Sequence, residues 1–218
     1  MAGAALALYA VFIVTGFGWR SYRQWRRTGS TGMRGFHGRP GSAEWLAGAG
    51  FAVAVVVGAV APILQLAGVV TPLGALNQPA TGVAGAILAV LGIAATLWAQ
   101  ESMADSWRIG VDAGEVTKLV DSGVFGWVRN PIFTAMLVFG LGVALMNPNV
   151  LALLGFALLV VSIELQVRVV EEPHLLRTHG ARYRDYGRRV GRFIPGAGRF
   201  GTESGEDTRR RHVRSPRR

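Results

Sequence analysis

Apolar residues gather into five blocks, at about 2–19, 45–70, 80–100, 131–147 and 149–167, set apart by polar stretches rich in arginine. A helix that crosses a bilayer needs about 20 apolar residues, with about 17–25 usual. The second and third blocks meet that length and the first comes near it. The fourth and fifth are shorter, and Asn147-Pro148-Asn149 lies between them. Proline ends helices and holds its predecessor out of helical geometry, so this tripeptide predicts the turn of a helical hairpin. The expected fold is all-α and polytopic, with about five transmembrane helices.

Charge then gives an orientation. Six arginines lie between the first two blocks, and Arg108, Lys118 and Arg129 lie between the third and fourth. Fourteen more arginines follow from Arg168 onward, and the other inter-block stretches carry no Lys or Arg. All the basic residues thus fall on one side of a five-span path. By the positive-inside rule that side is the cytoplasm, with the N-terminus outside. The first block lacks a basic leader and its positive charges follow it, which reads as an uncleaved anchor rather than a signal peptide. Residues 1–195 are expected to form one membrane domain. Residues 196–218, polar, Gly-rich and basic, are expected to be a disordered tail that could lie on anionic headgroups.

Composition narrows the chemistry. There is no cysteine, which excludes disulfides, thiolate metal sites and Cys nucleophiles. The four His are scattered, and no metal site is expected. The formal charge of +10 is confined to the loops and tail of a membrane path, which argues against nucleic acid as the partner. In the third block Gly82, Gly85, Ala89 and Gly92 share a face, a pattern that lets helices approach closely in lipid.

Several residues could carry chemistry. Asn130-Pro131 pairs a good N-cap with the residue favoured at the first helical position, so the fourth span is expected to start there. A helix start offers free N–H groups and a positive dipole end to an anion. Glu171 and Glu172 follow the fifth block directly, and Arg168, three residues earlier, could pair with Glu171 across one turn. Glu164, inside the fifth block, needs a partner such as Gln100 or an arginine. Trp107 and Arg108 could line a pocket or lie at the interface. Tyr183 and Tyr186 suit an amphipathic helix on the membrane surface. Each feature taken singly also has a structural explanation as a cap, an anchor or an interfacial pair.

Their combined order is more telling. LVDSGVF (119–125), RNP (129–131), NP (147–148), EE (171–172), HG with Tyr183 and Tyr186 (179–186), and Arg192-Phe193-Ile194-Pro195 follow one another over the C-terminal half. This series resembles the isoprenylcysteine carboxyl methyltransferase family and, more loosely, the phospholipid methyltransferases. The resemblance covers about Trp107 to Pro195, the expected catalytic half. It implies an integral membrane enzyme with a cytoplasmic pocket that uses S-adenosyl-L-methionine without a Rossmann domain.

Carried over residue by residue, the cofactor region would be Leu119, Val120, Gly123, Val124, Phe125, Asn130, Pro131, Phe133 and Glu171. Arg168, Glu171 and Glu172 would be the catalytic group, with Arg108 and Arg168 on the acceptor side. This chain has Asn130 where the family usually has His, Phe133 for Tyr and Ala135 for Gly. The family's acceptor-side Arg position is Val167 here, with Arg168 one later.

Methyl transfer is an in-line displacement that needs positioning and a dry site more than an acid or base. The acceptor would be a lipophilic carboxylate, amine or thiol, entering from the lipid. The abundance of Ala, Gly and Arg suits a GC-rich bacterial genome, hence a bacterial plasma membrane, where prenylated protein substrates are not expected; this favours a small lipophilic acceptor. Two other readings keep the same topology: a sterol-type reductase using NADPH, and a non-enzymatic scaffold or transporter.

Overall fold

The computed structural model describes residues 1–29, 31, 38–103 and 119–201. Trp107, Arg108 and most of the basic tail lie outside the described residues. The elements are α1 (Ala2–Phe12), a π-helical segment (Ile13–Trp19), α2 (Arg20–Thr28), α3 (Ala43–Leu66), α4 (Pro79–Met103) and a 3-10 turn (Gly123–Gly126). Next come α5 (Pro131–Met146), α6 (Val150–Leu165), a second π-helical segment (Gln166–Glu171), α7 (Glu172–His179) and α8 (Ala181–Arg189). Four helical stretches are long and apolar enough to cross a membrane: Ala2–Arg27, Ala43–Leu66, Pro79–Met103 and Val150–His179. The apolar α5 is shorter. The protein is an all-α polytopic membrane protein, with no strand among the described residues.

The hairpin forms at Asn147-Pro148-Asn149. Asn149 caps α6, its carboxamide oxygen accepting from Ala152 N–H at 2.9 Å. Its amide nitrogen donates to the Gln65 side chain at 2.9 Å, which ties the turn to the end of α3. Within the bundle α5 packs mainly on α4, and α6 on α3. The small-residue face does bring backbones together. A Cβ on Gly92 would stand 2.6 Å from the Phe139 nitrogen, and one on Gly142 would stand 2.5 Å from the Ala89 nitrogen. α1 packs beside them, its Phe12 ring stacked on Phe139 at 4.0 Å.

The fifth apolar block was expected to close near residue 167. The helix instead continues for 30 residues, Val150–His179. The charged residues that follow are competent helix formers, so polarity alone does not stop the helix. Pro173 lacks an N–H, and the ladder is irregular just before it, where the chain widens into the π segment. Gly180, at φ +53°, is the true terminator.

Candidate functional site

The residues of interest meet at the end of the bundle where α5 begins. A loop from Leu119 to Asn130 comes in beneath α8, and the segment from Val190 to Phe200 folds back over it. Val128 bridges Gly191, and backbone bonds run from Arg129 N–H to Gly191 O (2.8 Å) and from Asn130 N–H to Arg192 O (3.1 Å). Val124 and Phe125 are buried with Ala99, beside Val120 and Ile132. Leu119 packs instead with Tyr183, Tyr186 and Val190.

Arg129 sits at the centre of this cap and is buried. Its guanidinium donates to Gly187 O (3.1 Å), Val190 O, Gly198 O (3.0 Å) and the Glu172 carboxylate (2.6 Å). Its carbon lies 4.5 Å from the centre of the Phe200 ring. The other face of Glu172 receives Arg192 through two bonds of 2.9 Å. One carboxylate thus holds two arginines from two different segments. Bidentate, charge-assisted bonds of this kind fix orientation as well as adding energy. The Glu172 bonds hold the Arg192 guanidinium pKa above its ordinary value. Residues 196–200, placed by sequence in the tail, are therefore part of the cap.

Neither Arg129 nor Arg192 was singled out as a site residue. Both lay in view, inside RNP and the Arg192-to-Pro195 motif, but their common partner is far away in sequence. Glu172 was expected to act in catalysis, and both its oxygens are engaged by these arginines. Its neighbour Glu171 is half-buried at the junction of the π segment and α7. π-Bulges recur at functional sites because they re-aim side chains within a helix.

Other expectations shift. Asn130 occupies the N-cap position of α5 but makes no capping bond. Its amide donates to Arg192 O at 3.2 Å, while Thr134 Oγ1 donates to Phe193 O at 2.9 Å. The start of α5 is thus sewn to the folded-back segment, and the first-turn N–H groups of Ile132 and Phe133 have no side-chain cap from Asn130. Pro131 is buried, and Phe133 packs partly against the aromatic core.

Arg168 does not pair with Glu171. It bonds Glu164 on an exposed face, which supplies the partner that Glu164 required. The π segment breaks the three-residue stacking on which the other pairing relied.

Tyr183 and Tyr186 were read as lying on the membrane, and both rings are buried instead. Tyr186 donates to Phe125 O at 2.6 Å, and Arg182 reaches Asp121 at 3.3 Å, so α8 clamps the 119–125 loop. Burial raises the pKa of both phenols well above the usual tyrosine value.

No curated protein matches the chain. The family whose model matches is the phospholipid methyltransferases, the looser of the two resemblances, and the match runs from α4 through the hairpin into α8. Residues 80–182, which include the loop, the start of α5 and the Glu171–Glu172 junction, match the model of the phospholipid methyltransferase family.

Proposed function

We propose that the protein transfers a methyl group from S-adenosyl-L-methionine to a lipophilic acceptor at the cytoplasmic face of a membrane. The supporting observation is that the 119–131 loop, the start of α5 and Glu171 come together at one end of a bundle whose 80–182 segment matches the model of this methyltransferase family.

The residues present fit such a cofactor. Glu171 offers a half-buried carboxylate to an ammonium group. The first turn of α5 offers uncapped N–H groups to a carboxylate. Gly123 has φ +60°, and no heavy atom lies within 4 Å of where its Cβ would be, which leaves the loop backbone approachable. Leu119, Val120, Val124 and Phe125 shape the loop from beneath, and Pro131 and Phe133 close the site with apolar surface that keeps water out. When bound, the cofactor supplies a methyl group on a sulfonium cation. This chain's part is to position it and to keep the site dry, with no acid or base required.

Arg168, half in solvent beside Glu164, is the acceptor-side candidate for an anionic headgroup. Arg108 shares that role. The acceptor is a lipid amine, carboxylate or thiol reaching the site from the bilayer. The one-sided arginines support the reading that this end faces the cytoplasm and the N-terminus the outside, and the membrane in this reading is a bacterial plasma membrane.

Calorimetric titration of detergent-purified protein with S-adenosylhomocysteine, with NADPH as control, tests the reading. Micromolar binding of the first and none of the second is expected. Folded protein that binds neither overturns it, and binding of NADPH alone points to the reductase.

A further inference from the structure

Along α5, reaching its end remote from the candidate site, lies a cleft among α1, α3, α5 and α6. Its walls include Phe12, Phe51, Phe139 and Phe156, and its floor includes Ala54 and Ala144. Along α5 it runs from Met136 to Asn147, about 16 Å at the helical rise. Its volume is about 50 Å3.

One residue in this apolar lining is out of keeping. Asn147 is fully buried, and neither its carboxamide oxygen nor its nitrogen has a hydrogen-bond partner among the described residues. The other polar side chain of the cleft, Tyr9, already donates to Val55 O at 2.6 Å. A buried carboxamide without partners costs free energy, whereas Leu there would cost none. Its neighbour in the turn, Asn149, has both ends of its amide in use. The hairpin therefore uses one Asn for capping and keeps the other buried and without a partner at the head of an apolar channel.

We propose that this cleft binds a single-chain lipid bearing a free hydroxyl. The chain lies along the phenylalanines, and the hydroxyl donates to the Asn147 carboxamide oxygen while accepting from its nitrogen. A carboxamide offers both a donor and an acceptor, and a hydroxyl is the smallest group that matches both. A linear chain suits a channel that is narrow and about 16 Å long. This site stands apart from the methyl-transfer reading and survives its failure.

The test is equilibrium binding of monododecanoylglycerol to the full-length detergent-solubilised protein, against its dimethyl ether, which keeps the chain and removes the donors. The wild type should prefer the hydroxylated probe by about tenfold, the equivalent of one hydrogen bond to a buried group. Asn147→Leu should keep its thermal midpoint and lose the preference. Ala144→Phe, which narrows the floor, should weaken both probes at least tenfold. Equal wild-type affinities, with water serving the carboxamide, overturn the proposal. So does a preference that survives Asn147→Leu, or binding untouched by Ala144→Phe.

Discussion

Arg129 and Glu172 are 43 residues apart in sequence and meet at 2.6 Å, their side chains 1% and 8% exposed. Removing one partner of a buried ion pair leaves an uncompensated charge and costs about 3–5 kcal/mol. Here the loss would strand Arg192 as well. Glu172→Ala should therefore lower the thermal midpoint of the purified protein sharply and loosen the segment after Val190 to proteolysis.

The adjacent carboxylate should behave in the opposite way. Glu171→Gln is expected to leave the protein folded and to lower the thermal midpoint far less than Glu172→Ala, since the half-buried Glu171 does not hold the two arginines of the cap. Binding of S-adenosylhomocysteine should fall at least tenfold. A calorimetric titration beside a melting curve separates the two effects, and unchanged affinity would remove Glu171 from the site.

Asn130→Ala deletes the bond to Arg192 O and should cost about 1 kcal/mol. Cofactor affinity is also expected to weaken, because the start of α5 is held in place from Arg192 and Phe193. Asn130→His, which restores the residue usual in the resembling family, checks whether a ring donor can serve the same carbonyl. Melting and titration of both variants give the answer.

Gly92→Ala and Gly142→Ala should each destabilise by about 1–3 kcal/mol, since a Cβ at either position would collide with backbone rather than with a movable side chain. Gly74→Ala, where no heavy atom lies within 4 Å of the new Cβ, is the neutral control. Thermal midpoints in one detergent compare all three.

The phenols predict an alkaline limit. Burial raises the folded pKa of Tyr183 and Tyr186 above the ordinary 10.0. The stability tied to their neutral forms is complete below pH 10 and drains away as pH rises toward the folded pKa. Release of α8 from the 119–125 loop should follow above that pH. It can be read by ultraviolet tyrosinate absorbance, and Tyr183→Phe should move the transition to higher pH.

Local signals carried much of this structure. The apolar blocks marked the membrane helices, the Asn-Pro-Asn tripeptide marked the hairpin, and Gly92 marked a close helix contact. What escaped was long-range or geometric. Nothing near Arg129 in sequence announces Glu172, and Asn130 looks like a cap until Arg192 O is placed beside it. The π segment likewise undid the expected Arg168–Glu171 pair, because three-residue spacing means adjacency only in a regular helix. Of the candidate site, the motifs told which segments meet, while the pairing of Glu172 with Arg129 and Arg192 needed the fold.

The unbroken rod from Val150 to His179 has a further consequence. Glu171 stands about 32 Å along it from Val150, close to the roughly 30 Å depth of a bilayer's hydrocarbon core. The rod therefore acts as a gauge of membrane thickness. In a thick bilayer the carboxylates are drawn toward the acyl chains, and in a thin one they are lifted into the headgroups. Mismatch of this kind is relieved by tilting. Because Glu172 holds Arg129 and Arg192, the whole cap rides with the rod, and its height relative to the bilayer follows the membrane in which the protein is placed.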